Sequence, residues 1–179
     1  MGICEKNTLQ IIRTCLPDRQ AGNFKLETEM NWSCKKFDEL APNELYAALQ
    51  LRNAVFVVEQ NCIFQDADDK DQECFHLMGW EEKKLIAYTR IVPAGICYEE
   101  TSIGRVVTSP CERRKGLGRD LMQQSINTTY SLFGAGIPIK IGAQLYLKKF
   151  YESLGFVQTS DIYIEDGIEH IEMLLSKEE

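Results

Sequence analysis

The 179-residue chain lacks any apolar run approaching the roughly 20 residues that span a bilayer, which argues against a membrane-crossing helix and a membrane partner. It has no Gly-x-x-x-x-Gly-Lys-Ser/Thr, and Leu121 stands where a third glycine would complete Gly-x-Gly-x-x-Gly after Gly116 and Gly118. Neither a P-loop nor a standard dinucleotide turn is therefore expected. Its seven cysteines are odd in number and contain no Cys-x-x-Cys pair, and Cys74-x-His76 is too sparse for zinc, so reduced thiols and no metal are expected. Positive charge is short. With 20 Lys and Arg against 27 Asp and Glu, the net charge of −7 argues against general nucleic-acid binding. Arg13, Pro17 and Asp18 interrupt the apolar stretch a signal peptide would need, and Lys6 stands where myristoylation wants Ser or Thr. A cytoplasmic protein is the expectation.

What is present suits one globular domain, since 44% of the residues are hydrophobic. Residues 1–29 read as an N-terminal extension of sparse apolar content, with a short amphipathic helix at Leu9–Leu16 as an option, and residues 30–179 as the domain. Trp32–Phe37 reads as a strand and Pro42–Val58 as a helix with Pro42 in its first turn. Phe75–Trp80 and Leu85–Val92 read as a hairpin, and Ser102–Thr108 as a further strand. Leu117–Phe133 carries a helical stripe capped by Gly134; Ile139–Ala143 is a short buried strand. A helix with Leu147, Phe150, Tyr151 and Leu154 on one face closes at Gly155, and strands Val157–Ile164 and His170–Leu175 flank a Glu165-Asp166-Gly167 turn. The order β-α-β-β-β-α-β-α-β-β predicts an α/β fold with a mixed sheet.

Between the fourth strand and the second helix lies Arg113-Arg114-Lys115-Gly116-Leu117-Gly118-Arg119. Two glycines let the backbone turn tightly with its N–H groups uncovered, and a helix starting there adds free donors and the positive end of its dipole. Strand, basic glycine turn and helix together make a phosphate cradle. A plain tight turn with a solvated basic face is the competing reading.

This order and this turn resemble the GNAT family of acyl-CoA-dependent N-acetyltransferases. Arg113-x-x-Gly116-x-Gly118 matches the family's Gln/Arg-x-x-Gly-x-Gly/Ala signature, and Phe150-Tyr151-Glu152-Ser153-Leu154-Gly155-Phe156 matches its tyrosine-bearing helix with a Gly-Phe cap. Within the family, LQLRNAVFVVEQNC (49–62), HLMGW (76–80), IGRVVTS (103–109), IGAQ (141–144) and YIEDGIEHIEM (163–173) are similar to the ElaA-type branch. Two departures stand out: Arg114 where that branch usually has glycine, and Glu169 where proline is common.

The resemblance implies a mostly antiparallel twisted sheet flanked by helices, splayed between its fourth and fifth strands to admit acetyl-CoA. It implies that backbone groups of Val106, Val107 and Thr108 meet the pantetheine arm. Amides of Arg114, Lys115, Gly116, Leu117, Gly118 and Arg119 would hold the pyrophosphate, with charge from Arg113, Arg114 and Lys115. Tyr151 would be the general acid for the leaving thiolate, a phenol of reference pKa near 10 facing a thiol near 8.5; a plain core role on its helix stripe is the competing reading. For the base, Glu59, His76 and His170 are candidates, with an ordered water as the alternative. The acceptor would be a small-molecule or peptide amine, and dimers are frequent among proteins of this kind. A longer acyl donor, as in acyl-homoserine lactone synthesis, and a catalytically silent acyl-CoA-binding module are the competing functions.

Arg52, Arg90 and Arg105 fall inside elements, where they either pair with carboxylates or join Gln60, Gln144 and His170 in lining the acceptor pocket. The acidic run Asp66 to Glu73 fails as an EF-hand, because Lys70, Asp71 and Leu77 occupy its fifth, sixth and twelfth positions. It reads as a solvated loop, with Asp66, Asp68, Asp69 and Asp71 able to attract cationic acceptors.

Overall fold

A computed structural model describes residues 30–176, so the expected extension at 1–29 and its helix lie outside the described residues. The elements are β1 (Asn31–Lys36), α1 (Pro42–Arg52), β2 (Phe75–Glu81), β3 (Lys84–Val92), β4 (Thr101–Thr108), α2 (Leu117–Phe133), β5 (Ile139–Gln144), α3 (Lys148–Glu152), β6 (Val157–Gln158), β7 (Tyr163–Glu165) and β8 (Ile168–Leu175). All eight strands form one sheet in the order β1-β2-β3-β4-β5-β8-β6, with β7 also on β8. Every pairing is antiparallel except β4 with β5.

The first half of the sheet is covered on both faces, which is why β3 is buried almost throughout rather than alternating. Met78, Tyr88 and Val107 pack on Ala48, Leu51 and Val55, while Leu77, Ile86 and Ile91 pack on Leu117 and Leu121 of α2. One turn along, Met122 and Ile126 of α2 pack on Ile139, Ile141, Ile171 and Met173 of β5 and β8. α2 thus spans both halves of the sheet on one face. Among the described residues, no helix packs on the opposite face of the second half.

Two expected elements are interrupted. The helix predicted over Pro42–Val58 is α-helical only to Arg52 and continues as a π-helix over Asn53–Glu59. The Gln60 and Cys62 amides donate to the Val55 and Val57 carbonyls five residues back. At its start, the Ala41 amide donates to Glu44 Oε2 at 2.8 Å, a cap no side chain of Ala41 can supply. The strand predicted over Val157–Ile164 breaks after Gln158. Ser160 turns inward, and its Oγ accepts the Glu172 amide at 2.8 Å, replacing the backbone partner a continuous strand would offer.

β4 and β5 pair only at Thr101 with Ile139 and Ser102 with Lys140, after which β5 follows β8 alone. The cause lies in β4. Arg90 faces Gly104 and Tyr88 faces Val107, so the single residue Thr89 spans both Arg105 and Val106. This is a β-bulge, and Arg105 adopts φ +51° within it. A bulge bends and over-twists its strand. The edge of β4 beyond Ser102 is left unpaired, giving the expected splay between the fourth and fifth strands.

Candidate functional site

β4 ends at Thr108, and a short turn delivers the chain to Arg113. Arg114 has φ +65° and Gly116 φ +89°, both in the left-handed region. This explains why glycine suits position 114: arginine there holds the same conformation at a cost of about 1 kcal/mol. Among the described residues, the amides of Arg114, Lys115, Gly116, Leu117 and Gly118 make no hydrogen bond. The expected sixth donor is not available, because the Arg119 amide donates to the Gly116 carbonyl at 2.8 Å. A β-carbon on Gly116 or Gly118 would meet nothing within 4 Å, so the space over the cradle is open for an anion. Five consecutive free donors at the positive end of a 17-residue helix fit a pyrophosphate.

The cations around the cradle are partly committed. Arg113 makes a forked pair with Glu59, at 2.5 and 3.0 Å, and Lys115 pairs with Glu112. Among the described residues Arg114 carries no carboxylate partner. The Arg119 guanidinium donates to Ser153 Oγ at 2.7 Å, tying the first turn of α2 to the end of α3.

That tie anchors the start of α2 to the helix that carries Tyr151. Its helix ends in a Schellman motif, in which the Phe156 amide donates to the Tyr151 carbonyl at 3.2 Å and the Gly155 amide to that of Glu152 at 3.0 Å. Gly155 takes φ +93° as the left-handed cap. The accompanying apolar contact is the Tyr151–Phe156 ring pair, edge to face at 5.9 Å. The Tyr-x-x-x-Gly-Phe pattern is thus a mechanical unit that fixes where the tyrosine points. Tyr151 is buried in the β5–β8 core, and burial, with Tyr146 nearby, pushes its phenol up to about 12. Its hydroxyl is not engaged by any described residue.

The acidic run is not the solvated loop its composition suggests. Asp66 and Asp71 are buried, and Arg52, itself 1% exposed, donates to Asp66 Oδ2 at 2.6 Å and Asp71 Oδ2 at 2.8 Å. Arg90 bridges Asp68 and Asp71, and Arg105 reaches Asp66 Oδ1 at 2.7 Å and Asp68 Oδ2 at 3.3 Å. Three aspartates meet three arginines, so the network is charge-neutral and cannot draw a cation by net field. Its work is to hold the loop against the β4 bulge. Burial opposes the charged forms, but the arginines more than offset it and keep the Asp68 and Asp71 carboxyls well below the usual range.

The candidate bases separate accordingly. His76 is 1% exposed, with Nδ1 bonded to the Tyr88 hydroxyl at 2.7 Å and Nε2 to the Asp71 carbonyl at 3.0 Å. Burial lowers its pKa, and it has no ring atom left to meet a substrate. Arg52 is sealed in the same way, its guanidinium turned to Asp66 and Asp71. Glu59 faces the phosphate cradle through Arg113 rather than an acceptor. Gln60 closes the π-helix beside it. Gln144 and His170, in contrast, are directly opposite each other on β5 and β8. His170 Nδ1 lies 2.9 Å from the Ile168 carbonyl and its ring stacks on Tyr163. A carbonyl only accepts, so Nδ1 is the donor in this contact, which in the neutral ring leaves Nε2 as the acceptor.

Spacing alone did not single out Asp66, Asp68 and Asp71 as the arginines' partners, nor Ser153. Three arginines inside buried elements were the available signal, since each needs a carboxylate.

Comparison with known proteins agrees with this geometry. Residues 43–177 match the family model described as an acetyltransferase (GNAT) domain. The chain is 41% identical over 146 residues to protein ElaA of Escherichia coli, covering 80% of this chain and 95% of that one. A UPF0039 protein of Schizosaccharomyces pombe is 42% identical over 142 residues, or 79% and 93% of the two chains. Among solved structures, an acyl-CoA N-acyltransferase from Pseudomonas aeruginosa superposes with a TM-score of 0.79 at 39% identity, covering 83% of this chain and all of that one. The E. coli ElaA crystal structure gives 0.77 at 39% identity with the same coverage. The chain belongs to the GNAT family and is an acyltransferase.

Proposed function

We propose that the protein transfers the acetyl group of acetyl-CoA to a primary amine, by direct attack of the amine in a ternary complex in the cytoplasm. The observation that carries the reading is the combination of three features around β4: its unpaired edge beyond Ser102, the amides at Arg114 to Gly118 that no described residue engages, and Tyr151, packed in one cluster with Ile103 and Val106 and with a hydroxyl that no described residue engages.

In this mechanism the free edge of β4, with Val106, Val107 and Thr108, lines up the pantetheine arm. The amides of Arg114 to Gly118 hold the pyrophosphate, and Arg114 adds uncommitted charge. A backbone N–H of β4 steadies the oxyanion that develops as the amine adds. Tyr151, kept protonated by its burial, gives its proton to the departing thiolate. With His76 and Glu59 committed elsewhere, His170 Nε2 or an ordered water receives the proton of the amine.

Tyr151→Phe tests the acid. It should lower kcat by about 10²-fold or more while leaving acetyl-CoA affinity unchanged, read by thiol release and by calorimetry. Gly118→Val should abolish acetyl-CoA binding. Retained affinity in that variant would return the cradle to a plain turn. Wild-type protein that binds acetyl-CoA but releases thiol with no amine would favour a silent binding module.

A further inference from the structure

Tyr151 and the phosphate cradle lie on the α2 face of the sheet. Side chains alternate along a strand, so while Ile139, Ile141 and Ala143 point to that core, Lys140, Gly142 and Gln144 point to the face that no described helix covers. Gly142 sits directly opposite Glu172 of β8, and Gln144 opposite His170. Carrying the Ser102–Lys140 parallel register two residues forward sets Gly104 across the seam from Gly142. The seam therefore opens between two glycines, which bring no side chain of their own to it.

The two glycines differ in surroundings. A β-carbon on Gly104 would meet nothing within 4 Å. One on Gly142 would stand 3.1 Å from the Tyr98 hydroxyl oxygen and 3.3 Å from that of Tyr163. Two phenols thus converge over the β5 side of the opening. Beside them the Lys140 ammonium lies 5.0 Å from the centre of the Tyr98 ring and 2.8 Å from Glu172 Oε2. This is an alkylammonium already held by an aromatic face and a carboxylate. Tyr98, Glu99, Glu100 and Lys140 line an adjoining open depression of about 460 Å³. Elsewhere on this side of the molecule Cys62 Sγ meets the Asp166 carbonyl at 3.8 Å, joining the 61–74 loop to the β7–β8 turn. Among the described residues lining this depression Lys140 is the one cation, and Glu172, Glu100 and Glu99 all favour its charged form.

We propose that the acceptor enters through this glycine-floored opening, from the face opposite Tyr151, and that its rim selects a primary amine bearing a second positive charge, a diamine or polyamine. The inference rests on the acyltransferase reading above. The Tyr98 ring and Glu172, which already hold the Lys140 ammonium, and the Tyr98 and Tyr163 hydroxyls hold the distal ammonium beside it, while the reacting nitrogen passes between Gly104 and Gly142. That nitrogen sheds two protons in all, forms the new bond to the acyl carbon as the bond to sulfur breaks, and the thiolate takes one proton from Tyr151. Tyr151 is restored from solvent, so one proton is released per turnover.

The test compares three amines of equal chain length with wild-type protein and acetyl-CoA: 1,4-diaminobutane, n-butylamine and 4-aminobutanoate, with distal groups positive, neutral and negative. The expected kcat/KM for thiol release falls about tenfold at each step, close to 1.4 kcal/mol, and the steps narrow as salt rises. Glu172→Gln should erase most of the diamine preference. Gly142→Ala should raise KM for 1,4-diaminobutane several-fold without changing acetyl-CoA affinity; Tyr163→Phe gives the same readout should the alanine variant unfold. Equal rates with all three amines, a preference for 4-aminobutanoate, or acetyl-CoA binding without thiol release from any of them overturns the inference. Failure of wild-type protein to bind acetyl-CoA strikes the parent reading instead.

Discussion

Replacing Arg105 by alanine and, separately, by glycine should give an inverted order of stabilities. Arg105 joins two effects at one residue: it holds φ +51° in the β4 bulge, and its guanidinium bonds to Asp66 Oδ1 at 2.7 Å and Asp68 Oδ2 at 3.3 Å. Both substitutions delete the side-chain bonds. Charge-assisted hydrogen bonds contribute about 1.5–3 kcal/mol when buried, and here the side chain is 24% exposed while Asp66 keeps Arg52. A loss of about 2 kcal/mol is expected for alanine. Glycine suffers the same loss but relieves about 1–2 kcal/mol of left-handed strain, offset by about 0.4–1 kcal/mol of added unfolded-state entropy. Glycine should therefore be the more stable variant by about 0.5–1 kcal/mol, whereas at an ordinary strand position it is the less stable. Urea unfolding with equal m-values reads the difference directly. If alanine equals or exceeds glycine, the bulge does not depend on the left-handed residue, and the account of why β4 leaves β5 fails.

Arg52→Met should destabilise by about 3–5 kcal/mol, because it leaves the buried network of three aspartates one positive charge short, and Arg52→Met with Asp66→Asn should recover part of that loss in a double-mutant cycle. Arg114→Gly should raise stability by about 0.5–1 kcal/mol, measured by denaturant midpoint, while weakening acetyl-CoA binding in a salt-dependent way as the uncommitted cation is lost. Stability should fall with acid in two windows. His76 is held neutral in the fold, so the unfolded chain takes up a proton first as pH drops below about 6.5. Asp68 and Asp71 have depressed pKa values, so their contribution is complete above the carboxylate range near 4 and is lost as pH falls further. His76→Gln should flatten the upper window of a pH–midpoint profile and leave the lower one.

Local signals were readable in the chain to the residue. The helix expected at Leu117–Phe133 is α2 with those bounds, because Gly116 and Gly134 adopt positive φ at its two ends. The Tyr151-to-Phe156 pattern was legible for a similar reason: a Schellman cap is written in six consecutive residues. The acidic loop was misread because its partners are remote. Arg52 lies 14 residues from Asp66, Arg90 22 from Asp68, and Arg105 39 from Asp66, separations over which composition carries no pairing information. The same holds for His76, a candidate base by sequence, whose ring nitrogens the structure commits to the Tyr88 hydroxyl and the Asp71 carbonyl. Tyr98 and Tyr163 converge only because β5 carries glycine at position 142 between them.

The short β4–β5 pairing also divides the molecule mechanically. Four strands lie on each side of a neck two residue pairs wide, stiffened by the Thr101 hydroxyl donating to the Pro138 carbonyl at 2.7 Å. α2 is the strut across it, with Leu117 and Leu121 rooted in one half and Met122 and Ile126 in the other. Native-state hydrogen exchange should resolve the halves as two cooperative units, with amides of β1–β3 opening independently of those of β5 and β8. A ligand lying along the seam and touching both units would merge them, so its binding would register in exchange as the loss of an independent opening event as well as in slower rates.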